Sequence, residues 1–356
     1  MKFGIQLTCI YDAQTDARQQ RREHEEIVRA CEQLGFDLMS AGQHYLGAEL
    51  RYFQPVPWLA YMSAHAPSLR TNTGIILLSM ANPVDIAEQM ATLDVITSGK
   101  AIFGVGLGYS AHEFAAFGVA PGTRVARFEE ALALVRLLWS GQAVDFRGRF
   151  FSVENARPAV RPLQEAGLPV WIGGQAGAAV RRAARLGDAW YAPPFPTHSE
   201  LAELRKLFLK TREEHGLPTT GDFPVRRELL IAPSKDAALE GALNRYRARY
   251  DTYRKWGLSG ENTPVEADGQ QVRTDIEAHF ILGPAERCAE ELDRLAQECG
   301  MTHFLFKPQW PGLPHLEAMK QLEEFGTKVM PALRGQGADA TAELAWPAAR
   351  TEDSSS

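Results

Sequence analysis

Strand-like and helix-like segments alternate along the whole chain, and this alternation limits the fold more than any other feature. A chain of this kind builds a parallel sheet covered by its own helices. Strands are predicted at Lys2–Thr8, Leu38–Ala41, Thr71–Leu78, Ala101–Val105, Val170–Gly173, Ala189–Ala192, Arg227–Ala232 and His303–Phe306. Thr71–Leu78 reads as a buried parallel strand, apolar on both faces. Helices are predicted at Arg21–Leu34, Pro57–His65, Pro83–Thr97, Thr123–Ser140, Ala176–Leu186, Ser199–Glu214, Lys235–Trp256, Pro284–Glu298 and Leu316–Met330. Asn82-Pro83 supplies an N-cap followed by proline at the first helical position, and Gly35 and Gly187 stand just past helix ends. Val144–Val153 reads as a hairpin turning at Arg147-Gly148. Eight strands alternating with helices predict an α/β, TIM-like (β/α)8 barrel with insertions, which takes ~250 residues and tolerates additions. The expected organisation is one domain over residues 1–334, with a polar, Gly-rich insertion around 257–280. The Ala-, Glu- and Ser-rich tail, 335–356, is expected to be disordered. An open doubly wound sheet with a second domain is the alternative, and the lack of a composition break disfavours it.

Charge narrows the function. Lys and Arg number 38 against 44 Asp and Glu, a net charge of −6 that argues against nucleic-acid binding through a basic surface. No apolar run approaches the ~18 residues of a membrane span. The opening MKFGIQLTCIYDAQ reads as a strand and not as a signal peptide. Cys9, Cys31, Cys288 and Cys299 form no C-x-x-C pair and lie at no zinc-ligand spacing from a histidine. They are therefore expected to be reduced thiols in a cytoplasmic protein without a metal.

In a barrel of this kind, chemistry sits where strands end. Those positions hold few carboxylates, so the acid pair of a barrel glycosidase is missing, as is the acid/base pair a phosphosugar isomerase needs. No H-x-H, G-x-S-x-G or G-x-x-x-x-G-K-[ST] occurs. Gly104-x-Gly106-x-Gly108 lacks dinucleotide-fingerprint spacing and leads into YSAHEF. It reads as backbone lying flat against a ligand. A second glycine element, Trp171–Gly177, runs into a helix whose free N–H groups suit a phosphate, although a tight turn alone explains those glycines equally well.

The stretches GQHY (42–45), TGIILLSMANPVDIAEQMATLDVITSGKAIFGVGLGYSAHEFAAFGV (73–119) and VWIGGQAGAAVRRAARLGDAW (170–190) resemble the bacterial-luciferase-like flavin-dependent monooxygenases. FKPQWPGLPHLEAMKQLEEFGTKVMPALR (306–334) resembles the closing strand and helix of that group. The resemblance covers Met1 to about Arg334. It implies a TIM-like barrel holding FMN, as FMNH2 from a separate NAD(P)H:flavin reductase. Oxygen would add to the reduced flavin to give a flavin hydroperoxide that oxygenates an organic substrate.

Carried over residue by residue, His44 matches the histidine beside the flavin. Gly74-Ile75 falls where the family has a non-prolyl cis peptide. Gly106, Leu107, Gly108 and Tyr109 match the segment along the ribityl chain and phosphate. Gln175, Ala176, Gly177 and Ala179 match the second phosphate segment, with Gly173 and Gly174 leading into it. Leu107 departs from the basic residue of luciferase itself, and Ala176 and Ala179 offer no hydroxyl. Phosphate binding would then rest on backbone N–H groups, helped by a nearby arginine. Gln6 and Tyr191 are further candidates for the flavin edge, each of which an inward barrel position explains as well. Trp58, Trp139 and Trp256 read as packing, and Arg124 and Arg127 as surface pairing. Lys307, Gln309 and Trp310 are weaker candidates for the mouth.

Two rival functions share the fold: a deazaflavin-dependent hydride-transfer oxidoreductase and a non-catalytic flavin-binding protein. The loop Leu46–Val56, with Leu46, Leu50, Tyr52 and Phe53, suggests a hydrophobic substrate. Pro57–His65 and Pro83–Thr97 carry more apolar residues than one inner face needs, and the resemblance implies that they form a homodimer interface.

Overall fold

The computed structural model describes residues 1–7, 11–12, 14–47, 50–243, 269–310 and 313–335. Cys9, Trp256, the tail beyond Gly335, and most of the predicted helix end and insertion between 244 and 268 lie outside the described residues.

Eight parallel strands form the barrel: β1 (Lys2–Gln6), β2 (Leu38–Ala41), β3 (Arg70–Thr73), β4 (Ala101–Gly106), β5 (Val170–Gly173), β6 (Ala189–Tyr191), β7 (Pro224–Arg226) and β8 (His303–Phe306). They pair in the order β6-β5-β4-β3-β2-β1-β8-β7, and a parallel bridge between Ala192 and Val225 brings the two ends together. Around them lie α1 (Ala17–Gln33), α2 (Pro55–Ser63), α3 (Pro83–Ile96), α4 (Arg124–Trp139), α5 (Gly177–Leu186), α6 (His198–Glu214), α7 (Ala285–Cys299) and α8 (His315–Glu324). After α8 the chain continues through a π-helical turn, Phe325–Val329, into Met330–Arg334. The helix starts follow local chemistry. The Asn82 side chain accepts from Val84 and Asp85 N–H, and Thr197 and Glu200 close a capping box on α6.

The main core lies between strands and helices, while Leu38, Ile102, Trp171, Ala189, Tyr191 and Leu305 fill the barrel interior. Gly104 faces this interior without a side chain, and a Cβ there would strike the Thr73 carbonyl.

Two predicted strands need correction. Thr71–Leu78 is not one apolar strand: β3 ends at Thr73, its inner face carries buried Asn72, and Ile76–Leu77 pairs separately with β4 after a break at Gly74-Ile75. The seventh barrel strand is Pro224–Arg226 and not Arg227–Ala232. Glu228–Ile231 pairs instead with Phe280–Gly283 in a two-stranded parallel sheet. That sheet has its own small core with Leu239, Leu243, Ile276 and Trp310. No described helix is long and apolar enough to cross a membrane.

Candidate active site

The carboxyl ends of the strands converge on one mouth. Its floor is built around the Gly74-Ile75 peptide, which is cis. The Gln6 amide holds this segment from inside: its Nε2 donates to Gly74 O (3.1 Å), and its Oε1 accepts from the Tyr191 hydroxyl (2.9 Å). Burial pushes the Tyr191 phenol up from its usual range, against the opposing pull of Arg226 and a bond to Ser40, so it stays a neutral donor. Gln6 and Tyr191 are both buried and act on the floor from beneath.

The glycine run has a different first cause than flatness against a ligand. A Cβ on Gly106 would collide with the tip of Ile75, and one on Gly173 would lie 3.2 Å from Ile75 Cγ2. These glycines make the notch into which Ile75 packs. Gly108 has φ 77° and lies over Met80, Leu77 and Phe114, so it turns the chain where other residues are strained. Leu107 packs partly buried against the main core, and the Tyr109 ring stands largely exposed at the mouth.

His44 lies just beyond β2. Its Nδ1 is 3.1 Å from Glu113 Oε1, which also accepts the Tyr45 N–H at 2.7 Å. Glu113 is buried, and its other oxygen has no hydrogen-bond partner. A carboxylate at Nδ1 selects the tautomer with the proton there and leaves Nε2 as an acceptor. The Tyr109 hydroxyl approaches that Nε2 at 3.4 Å, and the Tyr52 ring packs edge-on, 4.9 Å from the imidazole centroid. Gln54 Nε2 fixes the His44 carbonyl (3.2 Å), while Gln43 links Gln54 to Leu77 N–H. The imidazole therefore has a fixed orientation, one nitrogen on a buried carboxylate and the other among aromatic rings.

Sequence reasoning missed Glu113. It sits on a six-residue helix, Ala111–Ala116, whose Ser110 side chain accepts Glu113 N–H. The S-x-x-E spacing in YSAHEF carries that signal as half of a capping box. The carboxylate instead leaves the cap and turns to His44.

At the other rim, α5 starts at Gly177 behind Ala176, which offers no side-chain cap. The first N–H groups of such a helix have no partner within it. Gly174 is held by the Trp190 indole, which donates to its carbonyl (2.7 Å), and Gln175 is exposed. Gly177 has no left-handed φ, and a Cβ there would make only ordinary contact, 3.4 Å from Leu207 and 3.5 Å from Arg181 Nη1. Arg181 is exposed and has no carboxylate partner among the described residues. Donors at an uncapped helix start beside a free guanidinium suit a phosphate. The apolar Ile75 floor between this rim and His44 suits a flat ring system.

Of the weaker candidates, Trp58 stacks on Phe53 and donates to His24, and Trp139 donates to Ala87 O. Arg127 bonds Ser79 O and covers Phe151, and Arg124 bonds Pro121 O. Lys307 is buried, Gln309 bonds Leu313 O, and Trp310 packs in the small core against Phe280. No group of three or more potential metal ligands occurs among the described residues.

The strand ends thus bring a glycine-notched floor, an oriented histidine and a bare helix start to one mouth of the parallel barrel. The chain belongs to the luciferase-like monooxygenase family, whose model matches residues 1–303. It is 25% identical to the 4-hydroxyprotoasukamycin monooxygenase of Streptomyces nodosus subsp. asukaensis, over 98% of this chain and 96% of that protein. It is 31% identical to an F420-dependent glucose-6-phosphate dehydrogenase of Kineococcus radiotolerans, over 78% of this chain and 82% of that one. Among solved structures, the oxygenating constituent of 3,6-diketocamphane monooxygenase from Pseudomonas putida, in complex with FMN, superposes with a TM-score of 0.79 at 16% identity. The match covers 94% of this chain and 98% of that one. The protein is an oxidoreductase enzyme of a family that uses a flavin or a deazaflavin.

Proposed function

We propose that this chain is the oxygenating component of a two-component, reduced-FMN-dependent monooxygenase acting on a small hydrophobic organic substrate. The observation that carries this reading is the oriented His44 imidazole at an aromatic mouth. Reduced FMN, supplied by a separate NAD(P)H:flavin reductase, provides the electrons that activate O2. This chain's own residues do the rest. Gly177 and Ala178 N–H groups with Arg181 hold the phosphate, and Ile75 with the Gly74 peptide forms the platform. Leu107, Gly108 and Tyr109 border the cofactor. Tyr45, Tyr52 and Tyr109 keep water from the mouth, and Glu113 holds the proton on His44 Nδ1 so that Nε2 can receive one.

A second reading, hydride transfer with F420, is favoured by the identity to the glucose-6-phosphate dehydrogenase. Anaerobic fluorescence titrations with reduced FMN, reduced riboflavin and F420 separate the two. Reduced FMN is expected to bind at least tenfold tighter than reduced riboflavin, with Arg181→Ala closing most of that gap, because phosphate–arginine bonds are charge-assisted. Equal binding of the two flavins would remove the phosphate assignment. Tight F420 binding together with oxidation of a substrate by F420 would establish the second reading.

The groove between α2 and α3 supports a homodimer. It measures about 760 Å³ and is lined by the apolar Val56, Pro57, Ala60, Val84, Leu93 and Ile96 together with the polar Asn82, Asp85, Glu88, Gln89 and Thr92. Ile96 and Val95 lie about half exposed beside it. A two-fold contact there would bury them against their own copies. Sedimentation at micromolar concentration should give twice the monomer mass, and Ile96→Glu should shift it to monomer. A wild-type monomer would remove the dimer.

A further inference from the structure

The two halves of the mouth, the Ile75 floor and the arm that carries His44, meet at one half-buried side chain, Gln43, just beyond β2. The Gln43 backbone N–H donates to Ile75 O (3.2 Å), and its Oε1 accepts Leu77 N–H (2.9 Å). Ile76–Leu77 pairs with a strand, β4, along one edge only, so the Leu77 N–H on the other edge needs a different acceptor. Gln43 supplies it. In the other direction, Gln43 Nε2 donates to Gln54 Oε1 (2.9 Å), and Gln54 Nε2 donates to the His44 carbonyl (3.2 Å).

Both ends of this chain are backbone groups of fixed polarity. Leu77 N–H can only donate and the His44 carbonyl can only accept, so each amide between them has one allowed orientation. A carboxylate at either position would accept without donating, and an apolar side chain would do neither. Gln54 is available for the relay because it stands at the N-cap of α2 and caps nothing. Pro55 and Pro57 fill the first turn of that helix, and proline has no N–H to satisfy. Glu113 meanwhile holds the imidazole and the Tyr45 N–H. His44 is thus fixed at its ring by Glu113 and at its backbone by Gln54.

We propose, on the reading of Ile75 as the flavin platform, that Gln43 and Gln54 are positioning residues that tie the place of His44 to that platform. Gln43 serves both halves of the mouth, since it holds Ile75 and Leu77 directly and His44 through Gln54. Gln54 serves the histidine alone. Loss of the one should therefore disturb cofactor and histidine together, and loss of the other the histidine only.

Gln43→Met and Gln54→Met test this, because each keeps the side-chain length and removes the relay without adding charge. The first measurement needs no flavin: the ring-nitrogen NMR shifts of His44 in the full chain carrying isotope-labelled histidine, identified by their loss in His44→Ala. In the wild type they should report one tautomer, with the proton on Nδ1. In both variants they should move toward the averaged values of a tautomer mixture, in protein that still unfolds cooperatively. The second measurement is anaerobic affinity for reduced FMN. It should fall about three- to tenfold in Gln43→Met, the worth of one hydrogen bond, and stay within about twofold in Gln54→Met. Oxygenation should fall about 10- to 100-fold in each, and the double variant should be no slower than Gln43→Met, since the relay is already cut. An unchanged single tautomer in both variants, or losses that simply add in the double variant, would overturn the relay. Flavin affinity lowered equally by both would overturn the division of roles. The tautomer is read without cofactor or turnover, so it decides the relay by itself, whereas a wild type that fails to bind reduced FMN would strike the platform reading instead.

Discussion

His44→Ala is expected to lower substrate oxygenation by about 100-fold, the lower end of what a positioned acid–base group contributes. The imidazole makes its bonds to Glu113 and Tyr109 at the mouth, and neither its ring nor Glu113 supports the floor peptide, which Gln6 holds. Reduced-flavin affinity should therefore stay within a few-fold of wild type. Product formed per reduced FMN consumed should fall, and released hydrogen peroxide should rise. Glu113→Gln tests the same unit from behind, because the amide can turn its oxygen to Nδ1 but cannot hold the proton there as a charge does. Its expected loss is smaller than that of His44→Ala, with a changed pH–rate profile. Assays with an exogenous reductase on hydrophobic ketones, aldehydes and terpenes measure both. Wild-type coupling and rate in His44→Ala on any accepted substrate would make His44 structural.

Most barrel strands are legible because each is a short apolar run between turn signals. The seventh is not, since Glu228–Ile231 is the stronger apolar run and overshadows Pro224–Arg226, which carries the barrel pairing. The candidate histidine, His44, is legible only through the resemblance. Its partner Glu113 is not, because the contact spans 69 positions and no periodicity encodes it. The glycines illustrate a different limit. Gly106 stood out as a ligand cradle, yet its nearest reason is the Ile75 side chain, which only the bend at Gly74-Ile75 brings there.

The same limit hid the carboxylate that latches one side of the barrel, and Asp94→Ala should reveal it. Asp94 lies near the end of α3, in a segment that reads simply as amphipathic helix, but it is fully buried. Its Oδ1 accepts Ala101 N–H (3.1 Å) and Gln164 Nε2 (2.8 Å), and its Oδ2 accepts Leu163 N–H (2.8 Å) and Gln164 N–H (3.2 Å). One side chain thus joins the end of α3, the first residue of β4 and the segment entering β5. Alanine removes four charge-assisted bonds and leaves several donors facing protein without an acceptor. Each such donor costs about 1–3 kcal/mol, and allowing for partial rehydration the net loss should be about 3–5 kcal/mol. For a chain of this size that corresponds to a Tm lower by roughly 4–7 °C. Asp94→Asn keeps one oxygen and should fall between the two. Urea unfolding without flavin measures the difference free of ligand stabilisation, and a loss under 1 kcal/mol in Asp94→Ala would show that water replaces the latch.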